Sequence, residues 1–357
     1  MEPKIDVNAL LAAGLRGRTM HVPNMLLKLQ DWPHGKRNKH YLRLRKIVDE
    51  ILTRVIPDPK RCQKFKDGDF AIFCCIWWPE AEWEELYTAA LFTVWAFIWD
   101  DTIDTNEDIL SDDFEKACVF RTQSLSYVRY WLGLTSQGEL EPICPSPASA
   151  VFKDFGKRYT QIFSQAKCQR FFDEVKLFFK HSEMEQAERL AGHVPDYNHY
   201  MGMRHGVTAV RIFVLLLEVV HRINLPKWIM DSAELNAVVT ECNHCIIIIN
   251  DILSLKKELV TNCVISAVPV LFFAGKPLDT IVNLMMTELE DSRDRLNTVE
   301  AKLNHMTRDN PSLNENVMVF VNGCRLMDTG TLEYTTLVKR YDVLKYVQPD
   351  GSLDIVL

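Results

Sequence analysis

Leu, Ile, Phe, Met and Val recur at three- and four-residue intervals along most of this chain, the spacing that gathers apolar side chains on one face of a helix. Tyr41–Val55, Glu82–Trp99, Phe114–Leu132, Val151–His181, Tyr197–Val220, Pro226–Leu259 and Leu278–His305 each carry that period and each predicts a helix. The β-branched run Ile246–Ile249 imitates a strand, but its flanks continue the helical period without turn residues, so it reads as buried helix. The pattern fails between Leu134 and Ala150, where Gly138-Glu139, Glu141-Pro142 and Pro145-Ser146-Pro147 predict a loop. It fails again within Arg308–Ser312, around Asn310-Pro311. The first ~20 residues read as a loosely held arm. No internal repeat or long flexible linker interrupts the chain, and a single all-α domain over residues 1–357 is the simplest account.

Composition narrows what such a domain does. The chain has 357 residues, 47% of them hydrophobic and 10% aromatic, which excludes a disordered polymer and allows a large core. Only 14 are glycine, against an average of roughly 7%. They form no G-x-G-x-x-G, no G-x-x-x-x-G-K-[ST] and no G-x-S-x-G, so the usual phosphate-cradling and serine-hydrolase signatures are absent. A formal net charge of −7 argues against a dedicated nucleic-acid binder, which carries a basic stripe. No signal peptide is visible, and no apolar stretch approaches the ~20 residues needed to span a bilayer. Ten cysteines without short, even spacing do not make a disulfide scaffold, so the reading is a reduced, cytoplasmic protein, monomer or homodimer, with neither membrane nor nucleic acid as partner.

Two clusters could carry chemistry. Asp100-Asp101-Thr102-Ile103-Asp104 ends an aromatic helix holding Phe92, Trp95, Phe97 and Trp99. At about 100° per residue, Asp100 and Asp104 lie about 40° apart on one face, with Asp101 to the side. Three carboxylates at the negative end of a helix dipole repel one another, and a cation relieves them; oxygen ligands with partial hydration suit Mg²⁺. The alternative is a solvated acidic helix end. Asn250-Asp251-Ile252-Leu253-Ser254-Leu255-Lys256-Lys257-Glu258 is the second cluster. Asn250, Ser254 and Glu258 fall at i, i+4 and i+8 and offer oxygen from one face, with Lys257 beside them to meet an anion. Its plainer reading is a helix passing from core to surface.

Taken together, D-D-x-x-D and N-D-x-x-S-x-x-K-E, 146 residues apart (250 minus 104), resemble the class I terpene synthases in order and separation. Arg204, 46 residues before Asn250, matches the family's diphosphate-sensing arginine, and Arg340-Tyr341 matches its R-Y pair. Asn24–Tyr41, with Trp32-Pro33, looks like the N-terminal strip of the fungal branch, so the likeness covers nearly the whole chain. The resemblance implies an all-α bundle around a central apolar cavity and a cyclase that ionises a linear prenyl diphosphate, most commonly farnesyl diphosphate, to make a sesquiterpene. It implies three Mg²⁺ ions, with Asp100 and Asp104 on one side of the set and Asn250, Ser254 and Glu258 on the other. Arg204, Lys257, Arg340 and Tyr341 would then donate to the diphosphate. A cyclase for geranylgeranyl diphosphate, a chain-elongating prenyltransferase of the same fold and a non-enzymatic helical binding protein are the rival readings.

Some positions depart from the family pattern. Where relatives carry an acidic or hydroxyl linker and then a small effector residue at a helix kink, this chain has Val207 and Thr208. Gly206 and Thr208 could support the break, with Thr208 in a catalytic role; the plainer reading is a hydroxyl bonded to its own helix backbone. Tyr334 stands where fungal relatives often have Trp. Elsewhere Cys242 and Cys245 read as buried thiols, Asp112-x-x-Glu115 as a capping box, and Glu288, Glu290, Asp291 and Asp294 as a solvated face. Phe92, Thr93 and Ala96 would line a pocket or simply fill the core.

Overall fold

The structure is a computed structural model that describes residues 7–104, 109–261 and 265–357. Among the described residues the regular structure is helical apart from one two-stranded sheet. The chain divides into two compact units that it visits alternately, residues 1–35, 184–208 and 226–357 in one and residues 36–183 and 209–225 in the other. No helix among the described residues is long and apolar enough to cross a membrane.

The second of these units is built on the helix Trp83–Asp104, which packs against Phe70–Trp77 and Ser149–Ile162. Its aromatic side chains make the core. Phe92 meets Phe155, Phe171 and Phe213 at ring-centre distances of 5.3, 5.3 and 5.2 Å, and Trp99 stacks on Phe179 at 3.8 Å. Each such ring buries 150–250 Å² and prefers these offset or edge contacts, so they dominate the packing energy. Thr93 is fully buried and its Oγ1 donates back to Ala89 O at 2.9 Å. Phe92 and Thr93 are thus held as core. The N-cap of Phe114–Trp131 is Asp113, which accepts from Lys116 N at 3.0 Å, one residue beyond the capping box expected at Asp112. Asn38, from the expected N-terminal strip, is buried and donates to Trp78 O and Ala81 O at 3.0 and 2.7 Å.

The other unit centres on the helix Ala233–Leu253, which lies against Leu278–Thr307 and Pro311–Leu337. The run Ile246–Ile249 is buried throughout, as helix and not strand. Cys242 and Cys245 are buried in the same helix, as expected. Residues 7–22 do not form a loose arm. Val7–Leu15 is a helix whose Ala12 and Leu15 have no exposed surface. It is followed by strand β1, Thr19–Val22, antiparallel to β2, Leu353–Val356, with Met20 opposite Ile355. Trp32 Nε1 donates to Asn297 Oδ1 at 3.1 Å, and Thr329 Oγ1 donates to Pro33 O at 2.7 Å, so the Trp-Pro strip is fixed by helices far along the chain.

Three of the predicted helices are interrupted. Val151–His181 is two helices, Ser149–Ile162 and Gln165–Ala191, parted at Phe163 and Ser164. Tyr197–Val220 breaks after Val207, where Ala209 takes the left-handed φ of 56°. Pro226–Leu259 contains Lys227–Met230, Ala233–Leu253 and Leu255–Thr261, with Ser232 capping the second through Leu235 N at 3.1 Å.

Candidate active site

The oxygen face predicted over residues 250–258 forms across a helix junction. Ala233–Leu253 ends at Ser254 and Leu255–Thr261 begins at once, yet the backbone ladder continues: Ser254 N donates to Asn250 O at 2.7 Å and Glu258 N to Ser254 O at 3.0 Å. Asn250, Ser254 and Glu258 therefore keep their i, i+4, i+8 alignment. Ser254 Oγ donates to Glu258 Oε1 at 2.5 Å, which joins two of the three expected ligands. Glu258 is half-buried, with Oε2 out of contact with solvent. Burial pushes its carboxyl above the usual range against the pull of Lys257, and Asp251 adds to the rise. A buried carboxylate, an amide oxygen and a hydroxyl form a donor set that a hard divalent cation fits, since it would compensate the very charge that burial penalises.

Arg204 arrives on the helix Tyr197–Val207. Its guanidinium donates to Asn250 Oδ1 from Nη2 at 2.9 Å and to Asp251 Oδ1 from Nε at 3.1 Å. Asn250 Oδ1 has two lone pairs, so it can take Arg204 on one and a cation on the other. Burial works against the Arg204 charge, but Asp251, Tyr200, Glu185 and Glu258 outweigh it and hold the group protonated.

Sequence reasoning missed Asp251. It has no exposed surface, and it accepts from the Tyr200 hydroxyl, from Arg204 and, at 3.0 Å, from the backbone N–H of Ala267. A charge beside the apolar run Cys245–Ile249 was the available signal, since such a residue is buried only when paired. Thr208 gains a partner that spacing did not indicate. Its hydroxyl also reaches another helix, donating to Asn243 Oδ1 at 2.7 Å. Gly206 stays helical, and the backbone reversal falls at Ala209. Glu288 is no solvated charge: it accepts from Tyr197 OH at 2.6 Å and pairs with His244 at 3.5 Å.

Lys257 lies with its Nζ 5.6 Å from the centre of the Tyr341 ring, and Tyr341 meets Tyr334 edge-on at 6.0 Å. Arg340 is half-buried in the turn that follows Pro311–Leu337. These cationic and phenolic groups belong to the same unit as Asn250, Ser254 and Glu258. At the end of Trp83–Asp104, Asp100 is half-buried and Asp101 buried, while the Asp104 side chain lies outside the described residues. Among the described residues no three His, Cys, Asp or Glu side chains gather in metal-binding geometry, and the 250–258 set, with one carboxylate, relies on neutral oxygens.

Oxygen donors for a divalent cation, next to a guanidinium held charged, equip an all-helical protein to handle an anionic, metal-bound leaving group. This chain belongs to Terpene synthase family 2, C-terminal metal binding, whose pattern matches residues 91–275, and it is accordingly a terpene synthase, a lyase of that class. It is 26% identical to the sesquiterpene cyclase hepA of Aspergillus oryzae, over 99% of this chain and 97% of that one. It is 23% identical to the terpene cyclase braA of Annulohypoxylon truncatum, over 100% and 94%. Among solved structures, the linalool/nerolidol synthase of Streptomyces clavuligerus in complex with 2-fluorogeranyl diphosphate matches with a TM-score of 0.71 at 17% identity, over 87% of this chain and 98% of that one. The germacradien-4-ol synthase of Streptomyces citricolor matches at 0.68 and 17%, over 89% and 98%. The structural likeness establishes the all-helical fold.

Proposed function

We propose that this terpene synthase is a Mg²⁺-dependent cyclase that ionises farnesyl diphosphate and closes the resulting carbocation into a sesquiterpene hydrocarbon or alcohol, releasing diphosphate. The observation that carries the reading is the Asn250–Ser254–Glu258 face with Arg204 bonded to its first member. Asn250, Ser254 and Glu258 hold one Mg²⁺ in this reading, and Asp100, with Asp104, holds two more. Bound there, the ions supply electrostatic stabilisation of the diphosphate as it leaves.

The chain's own residues do the rest. Arg204, Lys257, Arg340 and Tyr341 bind and orient the diphosphate oxygens, with Arg suited to bidentate contact and Lys to a point charge. Breaking the allylic C–O bond sends its electron pair to the diphosphate and leaves a delocalised cation, which the charged Arg204, Lys257 and Arg340 cannot quench because none offers a free lone pair. Water must be kept out while the cation folds, and aromatic faces can stabilise it by ~2 kcal/mol or more per desolvated contact. Asn250 takes the place where a chain-elongating prenyltransferase would need a second carboxylate-rich motif, which disfavours that rival.

The test is incubation with geranyl, farnesyl and geranylgeranyl diphosphates plus Mg²⁺, with products identified by mass spectrometry. Farnesyl diphosphate should yield C15 products and free diphosphate; release from none of the three refutes the function, and release from another alone corrects the substrate. Asp100→Asn and Glu258→Gln should each lower turnover at least a hundredfold while the melting temperature stays within a few degrees of the parent. Unchanged turnover in both would remove the metal-ligand assignment.

A further inference from the structure

The Cys242–Cys245 segment carries Asn243, a polar side chain that the proposed chemistry leaves without a task. Asn243 is 2% exposed, and both ends of its amide are committed to the helix that bears Arg204. Its Nδ2 donates to His205 O at 2.8 Å, and its Oδ1 accepts from Thr208 Oγ1 at 2.7 Å. The physical need is clear at the first contact. The carbonyls of a helix's last turn are bonded outside its regular ladder, and Tyr197–Val207 ends with Arg204, His205, Gly206 and Val207. Many helices satisfy such carbonyls with a residue in left-handed conformation, usually glycine, and the backbone bonds that follow. Here Ala209 supplies the left-handed turn, at φ 56°, and a side chain from another helix takes the His205 carbonyl.

Asn243 precedes Asn250 by seven residues on Ala233–Leu253, close to two full helical turns, so the two project along one stripe. Arg204 is the residue before His205 and bonds Asn250 and Asp251. One rigid helix thus holds the Arg204-bearing helix twice: at its last turn through Asn243, and at the guanidinium through Asn250 and Asp251. We infer that Asn243 is a positioning residue, which through the His205 carbonyl and the Thr208 hydroxyl fixes the end of Tyr197–Val207 and so sets where the Arg204 guanidinium stands. The catalytic consequence rests on the reading of Arg204 as a diphosphate donor, whereas the structural consequence does not.

The test uses the full chain with Asn243→Leu, which removes both contacts, and Thr208→Val, which is nearly isosteric and removes the hydroxyl that donates to Asn243. Amide hydrogen exchange over residues 203–208 should accelerate at least tenfold in both variants. With farnesyl diphosphate and Mg²⁺, kcat should fall at least tenfold with KM changed less than threefold, because misplacing a group that acts on the departing charge costs turnover more than ground-state binding. Thr208→Ser, which keeps the hydroxyl, should recover most of the lost kcat. Unchanged exchange in Thr208→Val and in Asn243→Leu overturns the inference, whatever the activity. Faster exchange with kcat unchanged in an active enzyme also overturns it, since the contact would then be structural only. If the parent releases no diphosphate from any prenyl substrate, the proposed function fails by itself, and the exchange result alone decides whether Asn243 fixes the helix end. Should Asn243→Leu fail to fold, Thr208→Val against Thr208→Ser carries the same decision.

Discussion

Replacing Asp251 by alanine tests how the arginine is held, and the structure sets the size of the effect. The carboxylate is fully buried and serves three partners: the Tyr200 hydroxyl, the Ala267 amide and Arg204, whose Nη2 is 3.0 Å from Oδ1. The Arg204 side chain is itself only 18% exposed, so removal of Asp251 strands a guanidinium in a place that water reaches poorly. Breaking a buried pair from one side costs roughly 3–5 kcal/mol, because the remaining charge loses its compensation. The orphaned hydroxyl and amide add about 1–3 kcal/mol each when left dry, less where a water enters the cavity. A total of about 5 kcal/mol or more is expected, read as a shift in the urea midpoint and its slope. Tyr200→Phe should cost about 1.5–3 kcal/mol, the worth of one hydrogen bond to a charged acceptor. Asp251→Leu combined with Arg204→Met is the decisive variant. If the penalty is the stranded charge, the double variant is more stable than Asp251→Ala alone, although it lacks the proposed diphosphate donor. A loss below about 1 kcal/mol in Asp251→Ala, or additive losses in the pair, would refute the role assigned to this carboxylate.

Three further outcomes follow from other parts of the molecule. A Cβ added at Gly156 would stand 2.7 Å from Trp131 O, a backbone atom that cannot swing away, so Gly156→Ala should lower stability by about 1–3 kcal/mol, and an unchanged melting temperature would contradict the packing described. Asp328 has no exposed surface, and burial, helped by the neighbouring Cys324, pushes its carboxyl well above the ordinary range. The folded state therefore holds a proton that the unfolded chain has released, and stability falls as pH rises through that window. Asp328→Asn carries no such proton, so urea unfolding should show the variant gaining on the parent as pH rises above the ordinary carboxylate range, by up to about 1.4 kcal/mol per unit while the folded carboxyl stays protonated, whereas a constant gap would refute the buried carboxyl. Chelation of divalent metal should abolish turnover, and Mg²⁺ with inorganic diphosphate at ~100 times its dissociation constant should stabilise the fold by about 2.7 kcal/mol, read as a rise in the melting midpoint; no shift would count against a metal-diphosphate site.

How much of this was legible depends on how far each fact reaches along the chain. Helical periodicity reports one face of one helix, so it found Trp83–Asp104 and Leu278–Thr307 within a few residues and set Asn250, Ser254 and Glu258 on a common face. Breaks are a different matter. Two helices can meet within one or two residues without disturbing the apolar period, as at Phe163-Ser164, where Lys167 N and Cys168 N both donate to Ser164 O and start the next helix. A signal existed at Ser232, a favoured cap residue whose Oγ accepts from Leu235 N, and periodicity alone passed over it. At Ala209 no signal existed. An alanine at positive φ is uncommon, and Gly206, the residue that looked fit to break the helix, remains inside it.

The site residues divide along the same line. Asn250, Ser254 and Glu258 are related by spacing within ten residues, whereas Asp251 is defined by Tyr200, Arg204 and Ala267, and Asn243 by His205 and Thr208. Each of these latter contacts joins a residue on Ala233–Leu253 to a segment that sequence spacing does not relate to it. Both missed side chains point to one conclusion about the Arg204 guanidinium. It is not a free donor on a flexible stem but is fixed at three points, by Asn250, by Asp251 and through its own backbone by way of Asn243. A guanidinium held in this way requires little reorganisation when negative charge develops beside it, the condition under which such a group stabilises a transition state most effectively. Substitutions at Asp251 and Asn243 should therefore impair turnover although neither residue is assigned a contact with substrate, metal or diphosphate.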